Sequence, residues 1–305
     1  MLSTLPFKAP SRLLDLAARH DPVAMAVIGA DDRLPMESAA AAARQGLIEP
    51  VLIGDEKLIR RIAEEIGWEI GDYEVLDVTD EAAKAARGAE LAGSGRVRAL
   101  MKGQIHTDQL MRAVLNRNAG LRTGRRVSHI FHMSTPDSDK ELLITDAAVN
   151  VAPDIDGLMD ITRNAVDLSR RLGHERPKAA LLSGTETPIP SMPSSELMAE
   201  LAKRANDPAH GIADADIHGP LAFDNAISPD AARIKGISHP VAGAADILVV
   251  PNIEMGNGLF KMMVYFRSAC AAGIVTGAKI PIVLTSRADP PEARLTAAAI
   301  AALIA

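Results

Sequence analysis

The chain predicts an α/β fold built on a mainly parallel sheet, and three observations carry that expectation. Short apolar runs alternate with helical segments of about 10–15 residues, the rhythm of strand–helix–strand units joined by right-handed crossovers. Hydrophobic residues make up 48% of the sequence but aromatics only 3%. Ala, Val, Ile, Leu and Met must therefore fill the core, which suits helices packed on a parallel sheet better than a β-sandwich. At 305 residues the chain exceeds the usual size of one domain, so two domains or one large α/β domain are expected, with a core that needs no disulfides or metals.

Residues 11–20 carry a short amphipathic helical pattern, and VAMAVIGA at 23–30 is an apolar run with a glycine stop, the signature of a buried strand. LPMESAAAAARQGL reads as a helix closed by Gly46, EPVLIGD at 49–55 as a second strand and Glu56–Gly67 as a second helix. YEVLDV at 73–78 and a helix beginning near Asp80 repeat the cycle. None of these strand–helix turns contains GxGxxG, so a Rossmann dinucleotide site has little support. LMKGQIHTDQLMRAVL at 100–115 passes through Lys102 and Gly103 to Thr107, expected as a helix N-cap. Leu110, Met111, Val114 and Leu115 form that helix's buried stripe, and Arg112 points away from its centre, as a solvated or an anion-binding arginine.

RRVSHIFHM at 125–133 and ELLITDAAV at 141–149 break the rhythm as consecutive strands around a polar hairpin, which places a domain boundary near Gly124. His129 and His132 stand three apart on one strand and so face opposite sides, which disfavours a two-histidine metal site. Asp154–Arg171 is a helix with acidic residues in its first turn. PKAALLSGTE is strand and turn, and MPSSELMAELAKRA a helix capped by Ser194 or Ser195. In DADIHGPLAFDNAIS an alternating strand meets a Gly-Pro break and then Asp224, whose carboxylate either orients a ligand or caps the next helix. DILVVPN is a buried strand, and the helix after it carries Asn257 and Lys261, four apart on one face and able to point into one cleft.

A net charge of −6 argues against a nucleic-acid or anionic-membrane partner, leaving local basic residues to serve a small anionic ligand. The single cysteine, Cys270, excludes an intrachain disulfide framework and reads as a small buried residue. The N-terminus lacks an apolar stretch of secretory length, and no run approaches about 18 apolar residues, so a cytoplasmic location is expected.

LTSRADPPEAR at 284–294 joins the apolar run Ile280–Leu284 to an Ala-rich terminal helix, bringing Ser286, Arg287, Asp289 and Glu292 together at a strand's C-terminal end. Such ends commonly bind anions. The competing reading is a capped helix start with Asp289 as N-cap, Pro290 and Pro291 in the first turn and Glu292 completing the capping pattern.

Six segments in order resemble the phosphate acetyltransferase/phosphate butyryltransferase family: LMKGQIHT, ITDAAVNVAPD, SMPSSE, DIHGPLAFDNAIS, DILVVPNIEMGNGLFK and LTSRADPPEAR. The resemblance implies two α/β domains with the broad fold of the isocitrate and isopropylmalate dehydrogenases, 1–124 with 274–305 and 125–273, an active-site cleft between them, and a homodimer. It also implies reversible transfer of a short acyl group, acetyl or butyryl, between coenzyme A and inorganic phosphate, with coenzyme A as substrate and no cofactor or metal. Ser286 is then expected to hydrogen-bond the transition state and Arg287 to bind phosphate or acyl phosphate. Glu292 is the first choice for the base that takes the thiol proton and Asp289 the second. The family's acetyl-specific members carry a carboxylate pair in a differently composed loop, whereas here prolines intervene and Ala293 occupies one aligned position. Arg112 matches an arginine assigned to coenzyme A phosphates, and Lys102, Asn257, Lys261 and Asp224 are further substrate-binding candidates.

Two related alternatives stand beside this reading: an acyl-carrier-protein phosphate acyltransferase and a non-catalytic binding domain of the same fold. A metal- and nicotinamide-dependent dehydrogenase with Asp224 or Asp246 at the metal lacks the clustered acidic and basic residues such a substrate requires.

Overall fold

The computed structural model describes residues 2–286 and 289–305. The chain divides into two compact units, Ala9–Arg125 with Ala272–Ala305, and Met1–Lys8 with Arg126–Ala271. The eight N-terminal residues thus fall outside the unit in which the sequence expectation placed them. The Leu2 and Ser3 amides both donate to the Tyr265 carbonyl at 3.0 Å, and Ser268 Oγ donates to Leu5 O at 2.7 Å.

In the first unit β1 (Val23–Ile28) pairs in parallel with β2 (Ile48–Gly54) and β4 (Ala99–Lys102), and β2 with β3 (Glu74–Asp77). The crossovers are α2 (Arg33–Arg44), α3 (Glu56–Glu65) and α4 (Glu81–Gly93). Each begins at an aspartate in extended backbone, Asp32, Asp55 and Asp80, whose carboxylate accepts first-turn amides otherwise left unpaired. The chain returns through β10 (Cys270–Thr276) and β11 (Ile282–Val283), which are antiparallel to each other, and β11 lies parallel to β4. The terminal α11 (Pro291–Ile304) buries Ala293, Ala297, Ala298, Ala299 and Ala301 completely. Side chains this small let it pack closely against α1 (Ser11–Ala17) and α2.

Two features lock the C-terminal ends of these strands. Gly103, just past β4, donates its amide to Ile28 O and Gln104 donates to Gly29 O, both at 2.8 Å. A Cβ on Gly103 would stand 2.3 Å from Gly29 O, so only glycine fits. Beside them Lys84 Nζ on α4 meets Asp31 Oδ2 at 2.5 Å with both side chains nearly buried, and Asp31 also accepts the Asp55 amide at 3.1 Å.

The second unit has strand order β5 (Ser128–Thr135), β6 (Ser138–Thr145), β9 (Ile247–Val249), β7 (Lys178–Leu182), β8 (Asp216–Leu221). β5 and β6 form the expected antiparallel hairpin, and the remaining pairings are parallel. His129 and His132 are both buried, more deeply than expected of polar strand residues: His129 packs edge-on to Phe131, and His132 Nε2 lies 3.3 Å from Glu141. α6 (Ile155–Arg171) is capped by Asp154, which accepts the Gly157 amide. α7 (Pro193–Ala205) departs from expectation: Met192 holds the N-cap position, and Ser195 instead turns its hydroxyl to Met192 O at 2.7 Å and accepts the Ile189 amide. The Gly219–Pro220 step lies inside β8 as a cis peptide rather than breaking the strand before it ends. α8 (Phe223–Ile227) and α9 (Pro229–Ile234) follow, then α10 (Ile253–Arg267), capped by Asn252.

Candidate active site

The first unit holds a small open pocket at the C-terminal ends of β4 and β11. Lys102 and Gly103 supply one wall, Thr285 and Ser286 another, and Ser38 of α2 and Arg294 of α11 close it. The pocket follows from the sheet: parallel strands end together, and the loops leaving them diverge into a crevice. Two cationic residues, Lys102 and Arg294, and three hydroxyl residues, Ser38, Thr285 and Ser286, thus line one crevice.

Arg294 carries no assignment in the sequence reading. Its residue is only 7% exposed, and its Nη1 donates to the Asp289 carbonyl. Burial pulls its pKa below the ordinary guanidinium value, while Asp289, Glu37 and Glu292 oppose that shift. An arginine on the buried side of an alanine helix, between Ala293 and Thr296, is the sequence signal that identifies it.

Asp289 does not cap α11, contrary to the capped-helix reading. Pro290 holds the N-cap position without a side-chain cap bond, and the Asp289 carboxylate instead accepts the Ser286 amide at 2.6 Å. Burial raises the Asp289 pKa, and the Ser286 amide and Arg294 partly offset that rise. Glu292 lies in the first turn of α11, half-buried, one turn before Thr296, whose hydroxyl donates to the Glu292 carbonyl. Arg287 lies outside the described residues.

The other expected residues are distributed more widely. Arg112 projects from α5 (Thr107–Val114) into solvent with a loose 3.9 Å contact to Asp108. Thr107 is the first helical residue rather than the cap; the preceding His106 amide is taken by Glu81 of α4. In the second unit Asn257 is half-buried and Lys261 exposed on successive turns of α10, with Lys261 Nζ 5.9 Å from the Phe260 ring centroid. Asp224 is exposed in the first turn of α8 and does not cap it, that position belonging to Ala222. Asp246 accepts the Lys178 amide at 2.9 Å. Among the described residues no three histidine, cysteine or acidic side chains are grouped to hold a metal, and no helix is long and apolar enough to cross a membrane.

In α/β folds, crevices at the strand ends are common places for anions to bind. Residues 82–302 match the family model described as phosphate acetyl/butaryl transferase. The chain is 45% identical to the phosphate acetyltransferase of Rhizobium meliloti over 96% of its own length and 92% of the relative's. It is 37% identical to the phosphate butyryltransferase of Clostridium acetobutylicum, covering 92% and 93% of the two chains. The crystal structure of a branched-chain phosphotransacylase from Enterococcus faecalis V583 superposes with a TM-score of 0.80 at 32% identity, covering 92% of this chain and 97% of that one. The chain belongs to the phosphate acetyl/butyryltransferase family and is an acyltransferase.

Proposed function

We propose that the chain transfers a short acyl group reversibly between coenzyme A and inorganic phosphate through a ternary complex, and that the pocket of Lys102, Ser286 and Arg294 receives the phosphate end. The observation that carries this reading is that Lys102, Ser286 and the nearly buried Arg294 line one crevice. When acyl phosphate is consumed, the coenzyme thiol gives its proton to a carboxylate and its sulfur bonds to the acyl carbon. The carbon–oxygen bond to phosphate breaks, and phosphate leaves with that electron pair. A free thiol has a pKa of about 8.5, so a nearby base raises the thiolate fraction at neutral pH. Asp289 suits that role through its raised affinity for protons and its bond to the Ser286 amide, and Glu292 is the second choice.

Ser286 donates to the carbonyl oxygen as negative charge gathers there, and Arg287 and Arg294 hold the departing phosphate. Arg112 engages the coenzyme's phosphates, and Asn257, Lys261 and Asp224 complete substrate binding. Cys270 is fully buried, in keeping with direct transfer and no acyl-cysteine intermediate. The reading includes a cytoplasmic homodimer that needs no metal or nicotinamide.

Purified protein is incubated with coenzyme A and acetyl or butyryl phosphate, without added metal or nicotinamide, and thioester absorbance is followed. Thioester formation, nearly abolished in Arg287→Ala, is expected. No thioester from any short acyl phosphate would overturn the proposal.

A further inference from the structure

The pocket in the first unit has two chemical sides, and a phosphate accounts for only one of them. Lys102, Ser286 and Arg294 supply charge and hydrogen-bond donors. The rest of the lining includes Leu34 and Pro35 in the first turn of α2, Met101 of β4 and Val283 of β11. Met101 and Val283 are register partners where β4 and β11 run side by side, so they form one apolar step at the strand ends.

Helix α2 extends that apolar side. None of the lining residues it supplies, Leu34, Pro35 and Ser38, carries a charge. The Asp32 carboxylate accepts the Leu34 amide at 3.1 Å, and Ser38 Oγ donates to Leu34 O at 2.8 Å. A hydroxyl has one proton to give, and that of Ser38 is spent inside its own helix. Only its lone pairs are left, and lone pairs do not hold an anion.

Phosphate oxygens set against Leu34, Met101 and Val283 would give up water without gaining donors, which is unfavourable. A hydrocarbon in the same place is stabilised by leaving water. An acyl phosphate joins the two needs in one small molecule, with an anionic group on one side of the carbonyl carbon and an alkyl group on the other.

We propose that this apolar side of the pocket holds the hydrocarbon of the acyl group while the phosphate lies with Lys102 and Arg294, and that Leu34 sets the chain length accepted. The inference deepens the acyl-transfer reading above and rests on it. Leu34 is the adjustable member of the wall. Pro35, Met101 and Val283 are buried, so a change in their size is felt through the close-packed core. Leu34 is half-buried on the first turn of its helix, and a change there acts chiefly on the space in the pocket.

The full chain is assayed for thioester formation from coenzyme A with acetyl and with butyryl phosphate, as wild type and as Leu34→Phe, Leu34→Val and Leu34→Ala. The readout is the butyryl-to-acetyl ratio of kcat/KM, taken within each preparation so that any unfolded fraction cancels. The ratio should rise in the order Leu34→Phe, wild type, Leu34→Val, Leu34→Ala. From wild type to Leu34→Ala the rise should be at least about 10-fold, the lower bound for one methylene in an apolar pocket. A constant ratio, or any other order, leaves acyl transfer standing and overturns the assignment of Leu34 and its wall. No thioester from either acyl phosphate with the wild type overturns the acyl-transfer reading itself.

Discussion

Replacing Lys84 by methionine removes one half of a nearly buried ion pair and leaves Asp31 with a single donor, the Asp55 amide at 3.1 Å. Stripping the partner from a buried charge costs about 3–5 kcal/mol, whereas the same loss at the surface costs about 0–1 kcal/mol. The side chains of Lys84 and Asp31 are 9% and 11% exposed, which places the pair in the first regime, and the remaining amide donor sets the expectation at its lower end, about 3 kcal/mol. With a urea slope of about 2 kcal/mol per molar, the unfolding midpoint should drop by roughly 1.5 M. The single tryptophan, Trp68, is buried in the same unit, so its fluorescence reports the unfolding of that unit. Adding Asp31→Asn removes the stranded charge while keeping an acceptor for the Asp55 amide, and should recover most of the loss. A Lys84→Met variant within about 1 kcal/mol of wild type would refute the reasoning, because it would show that solvent screens the pair as it does at a surface.

Gly103→Ala should destabilise the first unit by about 1–3 kcal/mol on the same fluorescence measurement, since the new methyl must displace the Gly29 backbone. In the thioester assay, the acid limb of the kcat/KM profile should lie above the ordinary carboxylate range, because burial raises Asp289. Asp289→Asn should lower turnover by about 100- to 10,000-fold and abolish that limb, with Glu292→Gln close to wild type; the reverse ordering would transfer the role of base to Glu292. His218 and His239 stack at 4.2 Å, and burial lowers both pKa values, with His239 adding to the shift of His218. The unfolded chain therefore binds more protons than the folded one as pH falls through the ordinary histidine range into the lowered one, and stability should decline there. Thermal unfolding of His218→Gln/His239→Gln from neutral to mildly acidic pH should show a shallower decline than wild type; an unchanged slope would remove the pair as its source.

The strand–helix rhythm was legible because it is local: periodic apolar residues, and aspartates such as Asp80 and Asp154 standing where first-turn amides need an acceptor. Caps failed as predictions where an acceptor came from elsewhere or the local side chain had another use. Glu81 reaches across from α4 to the His106 amide, and Ser195 turns its hydroxyl to the preceding loop, neither of which residue type alone can reveal. The same limit governs the pocket. Ser286 and Lys102 were named from their motifs, but Arg294 is brought to them by the packing of α11 against α2 and the sheet. At 284–294, propensity treated Asp289 and Glu292 as equivalent acids near a helix start. The fold separates them: the Asp289 carboxylate accepts the Ser286 amide in the loop before α11, while Glu292 stands in the helix's first turn.

The contact between Gly29 and Gly103 has a further consequence. Because main chain meets main chain there, the part of the pocket lining that Gly103 supplies offers no side chain that a point substitution can trade for another. Selectivity for different acyl phosphates would have to be written in the neighbouring side chains, Ser38, Lys102, Thr285 and Arg294 among them, while Gly103 stays common to every variant that folds. Divergence within such a lineage should accumulate around that glycine and spare it.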